Sequence, residues 1–131
     1  MTLKASSLAG PDTDLDIIER AKTEPQQVRA GQPKGWTYSF TGTLIGYHQK
    51  RYEGDGLRIV TVQLWETTKG SFIAHFSLYA ERGRDFEKAT LIEGDLPTLE
   101  FRSQVMDALE WSVEARNMAK AMGWSMVVEV E

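Results

Sequence analysis

Four carboxylates, Glu100, Asp107, Glu110 and Glu114, fall in one narrow sector when the C-terminal part of the chain is projected as a helix. Ser103 and Asn117 complete a polar stripe along that sector, and Trp111, Met118 and Met122 border it. An acidic strip beside an indole and two thioethers has the chemistry of docking rather than of catalysis. The charges attract a basic surface, the indole anchors it, and the flexible methionines adapt to it. The same strip also serves as the solvated face that any amphipathic helix requires. The sequence therefore nominates Glu100, Asp107, Glu110, Trp111 and Glu114 as partner-binding residues.

Catalytic residue sets are harder to find. The two histidines, His48 and His75, lie in strand-like segments, and His48 is followed by Lys50 and Arg51, whose charge disfavours a metal cation nearby. Each reads as a hydrogen-bonded surface or core histidine. There is no Gly-x-Ser-x-Gly nucleophile turn and no phosphate-cradling P-loop; Thr68-Lys69-Gly70-Ser71 shares only letters with the latter, because it joins two strands. Glu53 and Asp55 sit in a turn, where solvation keeps carboxylates near their ordinary range. The chain has 0 cysteines, which excludes a thiol nucleophile and a zinc–cysteine site. No catalytic residue, metal or cofactor is expected.

The elements that would carry these residues follow from periodicity. Trp36, Tyr38 and Phe40 alternate with Thr37, Ser39 and Thr41, the period-two pattern of a half-buried strand, and Gly42 and Gly46 mark a bend in it. Glu53–Gly56 is a turn, and Leu57–Thr67 and Ser71–Tyr79 are two more strands joined through Gly70. A polar loop follows, and Ala89–Glu93 and Ser125–Val130 read as short further strands. Leu96–Met122 reads as one long helix, capped by Asp95 and stopped by Gly123, with Phe101, Val105, Ala108, Leu109, Ser112, Ala115 and Ala119 on its core face.

Residues 1–34 contain Pro11, Pro25 and Pro33 and read as a loose N-terminal arm with one short helix, Leu15–Lys22, capped by Asp14. Residues 1–13 in particular are expected to add little to the core.

Composition narrows the class further. A chain of 131 residues suits one domain, here expected over residues 35–131 with the arm ahead of it. The net charge is -4, and residues 95–131 hold seven acids against three bases, so the acidic excess sits there. With pI ≈ 5.2 the chain lacks the basic footprint of a nucleic-acid binder. No apolar run reaches the roughly 20 residues of a membrane span, and Met1–Ser7 lacks the apolar core of a secretory signal, which points to a cytoplasmic protein.

The hairpin Leu64-Trp-Glu-Thr-Thr-Lys-Gly-Ser-Phe-Ile-Ala-His75, with Phe40-Thr-Gly42 upstream and Val127-Val-Glu-Val-Glu131 at the acidic end, resembles the small bacterial EXLDI proteins. The naming Glu-x-Leu-Asp-Ile motif is missing from the C-terminus; the only Leu-Asp-Ile is Leu15-Asp16-Ile17. The resemblance implies no catalysis and transfers no site.

The expected architecture is α+β: a twisted antiparallel sheet of four to five strands with the long C-terminal helix packed on one face. The expected function is a non-catalytic interaction protein. It would bind, or inhibit, a basic protein partner through the acidic helix face or a sheet edge. A nucleic-acid-binding protein is among the candidate partners. The alternative is a small-molecule-binding domain with a pocket between the bent sheet and the helix.

Overall fold

A computed structural model describes residues 2–33 and 36–124. Strand β1 (Thr2–Lys4) leads through a 3-10 turn (Ala5–Leu8) to helix α1 (Leu15–Thr23) and strand β2 (Gln26–Ala30). Strands β3 (Tyr38–Tyr52), β4 (Arg58–Thr67), β5 (Phe72–Ala80) and β6 (Phe86–Ile92) follow. Helices α2 (Leu99–Ala108) and α3 (Val113–Ala121) complete the described chain. The sheet has six strands in the order β1-β2-β3-β4-β5-β6, antiparallel except for the parallel β1–β2 pair. The class is thus α+β, but the sheet is larger than four to five strands and mixed. The expected strand Ser125–Val130 lies outside the described residues.

Local chemistry accounts for the elements. The Asp14 side chain caps α1 by accepting the Asp16 N–H at 2.9 Å, and Arg20 and Lys22 occupy the negative end of that helix. In β3 the register slips between Leu44 and Gly46, a bulge at the second of the two glycines, while Gly42 keeps regular register with Thr67. Gly70 turns the β4–β5 hairpin at φ +87, and the Thr67 and Ser71 hydroxyls, 2.8 Å apart, brace it. β6 begins at Phe86, earlier than its apolar run, because it pairs along β5 from Leu78 to Phe72.

Both faces of the sheet are covered, so β4 and β5 are buried on both sides. On the outer face Val62, Leu64, Phe72 and Ala74 pack against Phe101, Val105, Met106 and Leu109 of the α2 region and Ala115, Met118 and Ala119 of α3. The Phe72 and Phe101 rings meet edge-on with centroids 4.6 Å apart. On the inner face Leu44, Trp65, Ile73 and Ala89 pack against Ala5, Leu8, Ile18, Ala21, Val28 and Ala30.

Two sequence expectations are corrected here. The N-terminal segment is no loose arm: Ala5 and Leu8 are buried in the inner core, and β1 and β2 extend the sheet. The apolar residues that dock it are too few and too irregularly spaced to show a period. The single helix Leu96–Met122 is two helices. Thr98 rather than Asp95 caps the first by accepting the Phe101 N–H at 3.2 Å. Glu110 and Trp111 then adopt left-handed φ of 64 and 46, and Ser112 caps the second helix by accepting the Ala115 N–H at 3.1 Å. Most of the expected core face survives the break: Phe101, Val105, Ala108, Leu109, Ala115 and Ala119 are buried, while Ser112, expected among them, is only half-buried and serves as the cap.

Candidate functional site

The inner face carries a chain of buried polar groups. Register places Gln63 opposite His75, Thr61 opposite Ser77, and Ser77 opposite Glu87, so these side chains share one side of β4, β5 and β6. Gln63 donates from Nε2 to the Ala5 carbonyl at 2.8 Å and accepts the Trp65 indole N–H at 2.9 Å. Tyr47 donates its hydroxyl to the Leu8 carbonyl at 2.8 Å; burial pushes this phenol up to about 12. His75, fully buried, holds Glu87 through Nε2 at 2.8 Å, while its Nδ1 has no partner among the described residues. The His75 hydrogen bond holds the Glu87 carboxyl below its ordinary range against the opposing effect of burial, helped by the Gly31 backbone and Lys4. These bonds satisfy polar groups that would otherwise be costly to bury, and they fasten the N-terminal segment to the sheet.

The sheet curls until its two ends approach. The Gln32 side-chain amide donates to the Ala89 carbonyl, and Gly31 abuts the Glu87 carboxylate. β1 and β6 nevertheless form no ladder with each other, so the seam is closed by side chains at one place and left open at another. Where it is open, Thr2 and Leu91 border the same cavity, about 640 Å³ in volume. Phe40, Tyr38 and Ile73 supply apolar surface there, Thr67 and Ser71 supply hydroxyls, and Arg29 and Lys69 lie on its border. A second crevice of about 480 Å³ lies beyond the clasp, between Ser6 and Gln32 on one side and Ser77, Tyr79 and Glu87 on the other. The place anticipated for a ligand, between the bent sheet and the C-terminal helix, holds a smaller space of about 410 Å³ beside Gly46, Met118 and Met122.

The five nominated partner-binding residues are not brought together as one stripe. Glu100 is exposed in the first turn of α2, where it complements the positive helix end. Asp107 is exposed and accepts the Trp111 indole N–H at 2.6 Å. Glu110 forms an ion pair of 2.6 Å with Lys88 on β6. Trp111 is 42% exposed, and its carbonyl accepts two bonds from the Arg116 guanidinium at 3.2 and 3.1 Å. Glu114 departs most from expectation: it is buried at 3% exposure and accepts the Tyr52 hydroxyl at 2.5 Å. A continuous helix advances by a constant angle, and the two left-handed residues break that advance, so Glu114 turns inward.

Sequence reasoning overlooked the Glu87–His75 pair and the cavity at the open seam. Only half of the pair had a readable trace: His75 lies in a strand-forming segment, whereas Glu87 lies in the stretch that reads as a polar loop. Its partners, however, depend on how β5 and β6 align. The open seam depends on the curl of the whole sheet and has no local signature.

Among the described residues no group of three or more His, Asp or Glu could hold a metal ion, and no helix is long and apolar enough to cross a membrane. Comparison with protein-family models, curated proteins and solved structures gave no match.

Proposed function

We propose that this chain is a non-catalytic small-molecule-binding protein whose ligand sits in the open seam of the curled sheet. The observation that supports this reading is the cavity of about 640 Å³ bordered by both Thr2 and Leu91, at the two unpaired edges of one sheet. Its volume falls within the range of small-molecule sites, and Tyr38, Phe40, Ile73 and Leu91 give an otherwise polar wall an apolar part. Phe40 and Ile73 belong to or pack against the inner core, so the wall is supported from behind. Titration with the uncharged apolar probe N-phenyl-1-naphthylamine, followed by amide resonances, tests the reading. The expected shifts centre on Phe40, Ile73 and Leu91. Shifts confined to the helix side, or none at millimolar probe, would overturn it.

A second reading is favoured by one specific observation, the left-handed φ of both Glu110 and Trp111. Such residues cost on the order of 1–3 kcal/mol each and cluster at functional places. Here they present a half-exposed indole beside Asp107 and Glu110. This corner would dock a basic protein surface in the cytoplasm, a nucleic-acid-binding protein among the candidates. A lysine-rich peptide is the probe. Asp107→Lys with Glu110→Lys should slow its association in a salt-dependent way, and Trp111→Ala should speed its release. Unchanged kinetics in both variants would leave the corner as a structural turn.

A further inference from the structure

We infer that the open-seam cavity takes an organic anion, an apolar body carrying one negatively charged group, with Arg29 and Lys69 meeting the charge. The inference rests on the small-molecule reading above and adds the class of ligand. The chain as a whole is acidic, with 19 Asp and Glu against 15 Lys and Arg. The residues around this cavity depart from that balance: two cations border it and no carboxylate does. The crevice beyond the clasp shows the contrast, since Asp85 and Glu87 line it.

The two cations come from separate elements. Arg29 stands on β2, paired with Ser39 of β3, and Lys69 stands in the turn between β4 and β5. That turn is tied to β3 by the Thr68 N–H, which donates to the Thr41 carbonyl at 2.9 Å. Arg29 and Lys69 therefore flank one short stretch of β3, Ser39 to Thr41, and both border the cavity. Neither forms an ion pair or donates a side-chain hydrogen bond among the described residues. Both are exposed, so their long side chains are free to turn toward a bound group. A guanidinium matches a carboxylate, phosphate or sulfonate with two parallel donors, and an ammonium adds a point charge. Phe40, Ile73 and Leu91 would take the apolar body.

A matched pair of probes tests this. 1-Anilinonaphthalene-8-sulfonate and N-phenyl-1-naphthylamine share an aromatic body and differ by the sulfonate. Affinities of both are measured for the wild type and for Arg29→Gln with Lys69→Gln, with amide resonances reporting the place of binding. The expected result is that the double variant binds the anionic probe about tenfold or more weakly and the neutral probe equally well. Equal neutral-probe affinity also shows that the variant is folded. Should the double variant bind both probes as the wild type does, the anion inference fails while the small-molecule reading stands. If neither probe shifts the cavity resonances, both fail. Displacement of the anionic probe by dodecanoate and by dodecyl phosphate then separates a carboxylate ligand from a phosphate one; displacement by neither would overturn the inference.

Discussion

The Tyr52 hydroxyl donates to Glu114 Oε1 at 2.5 Å, joining the last residue of β3 to the first turn of α3 across 62 positions of sequence. Glu114 is buried, so this bond satisfies a carboxylate that would otherwise lie unpaired between helix and sheet. The bond also raises the Tyr52 phenol above its ordinary value, with burial and the carboxylate's charge acting in the same direction.

Removing the donor leaves the carboxylate stranded. Tyr52→Phe should therefore lower stability by about 1–3 kcal/mol in urea unfolding at neutral pH. Glu114→Gln keeps an acceptor in place and should be milder. A phenol raised on folding stabilises below its unfolded value and loses that contribution as pH rises through the folded value. The wild type should therefore lose stability at alkaline pH more steeply than Tyr52→Phe. Parallel alkaline profiles would count against the bond.

Glu87 gives the opposite sign. Its carboxyl is held below the ordinary range by His75, so its stabilising effect is complete above the unfolded value and fades as pH falls through the folded one. The thermal midpoint of the wild type should drop on acidification below the usual carboxylate range. Glu87→Gln should start lower at neutral pH and show a flatter acid limb. A variant with the same acid slope would remove Glu87 from the account.

The clasp at Gly31 is steric as well as electrostatic. A Cβ placed at Gly31 would overlap the Glu87 carboxylate. Gly31→Ala should therefore push the carboxylate off His75 and loosen the seam, seen as faster amide exchange in β1 and β6 than in β4. At Gly46 a Cβ would meet the Met122 and Met118 sulfurs at 2.8 and 2.9 Å. Both thioethers are flexible, so Gly46→Ala should be destabilising by only about 1 kcal/mol in the same urea assay. A loss above roughly 3 kcal/mol would mean that α3 cannot adjust over the bulge.

Docking of the N-terminal segment predicts that it matters to stability. Leu8 is buried against the inner face, so Leu8→Ala should cost roughly 2–5 kcal/mol. Deleting residues 1–13 should lower the thermal midpoint by roughly 10 °C or more. A midpoint unchanged by the deletion would show that the inner core stands without it.

Local pattern alone sufficed for much of this protein. The alternation from Tyr38 onward, the Gly70 turn and the Asp14 cap are legible because each is set by neighbours within a few residues. The core face of the C-terminal helices was legible too, since Phe101, Val105, Ala115 and Ala119 are apolar or small whatever the path between them.

Tertiary structure decided the rest. A helical projection assumes a constant turn per residue, and nothing in Leu109–Ser112 announces that Glu110 and Trp111 reverse the sign of φ. That reversal buries Glu114 and dissolves the acidic stripe. The second face of β4 and β5 is buried only because β1, the 3-10 turn and α1 fold over it, a contact between parts of the chain too distant for any periodicity to register. The open seam is more remote still. It arises from the accumulated twist and bend of six strands, which bring Thr2 and Leu91 to one cavity while their edges stay unpaired.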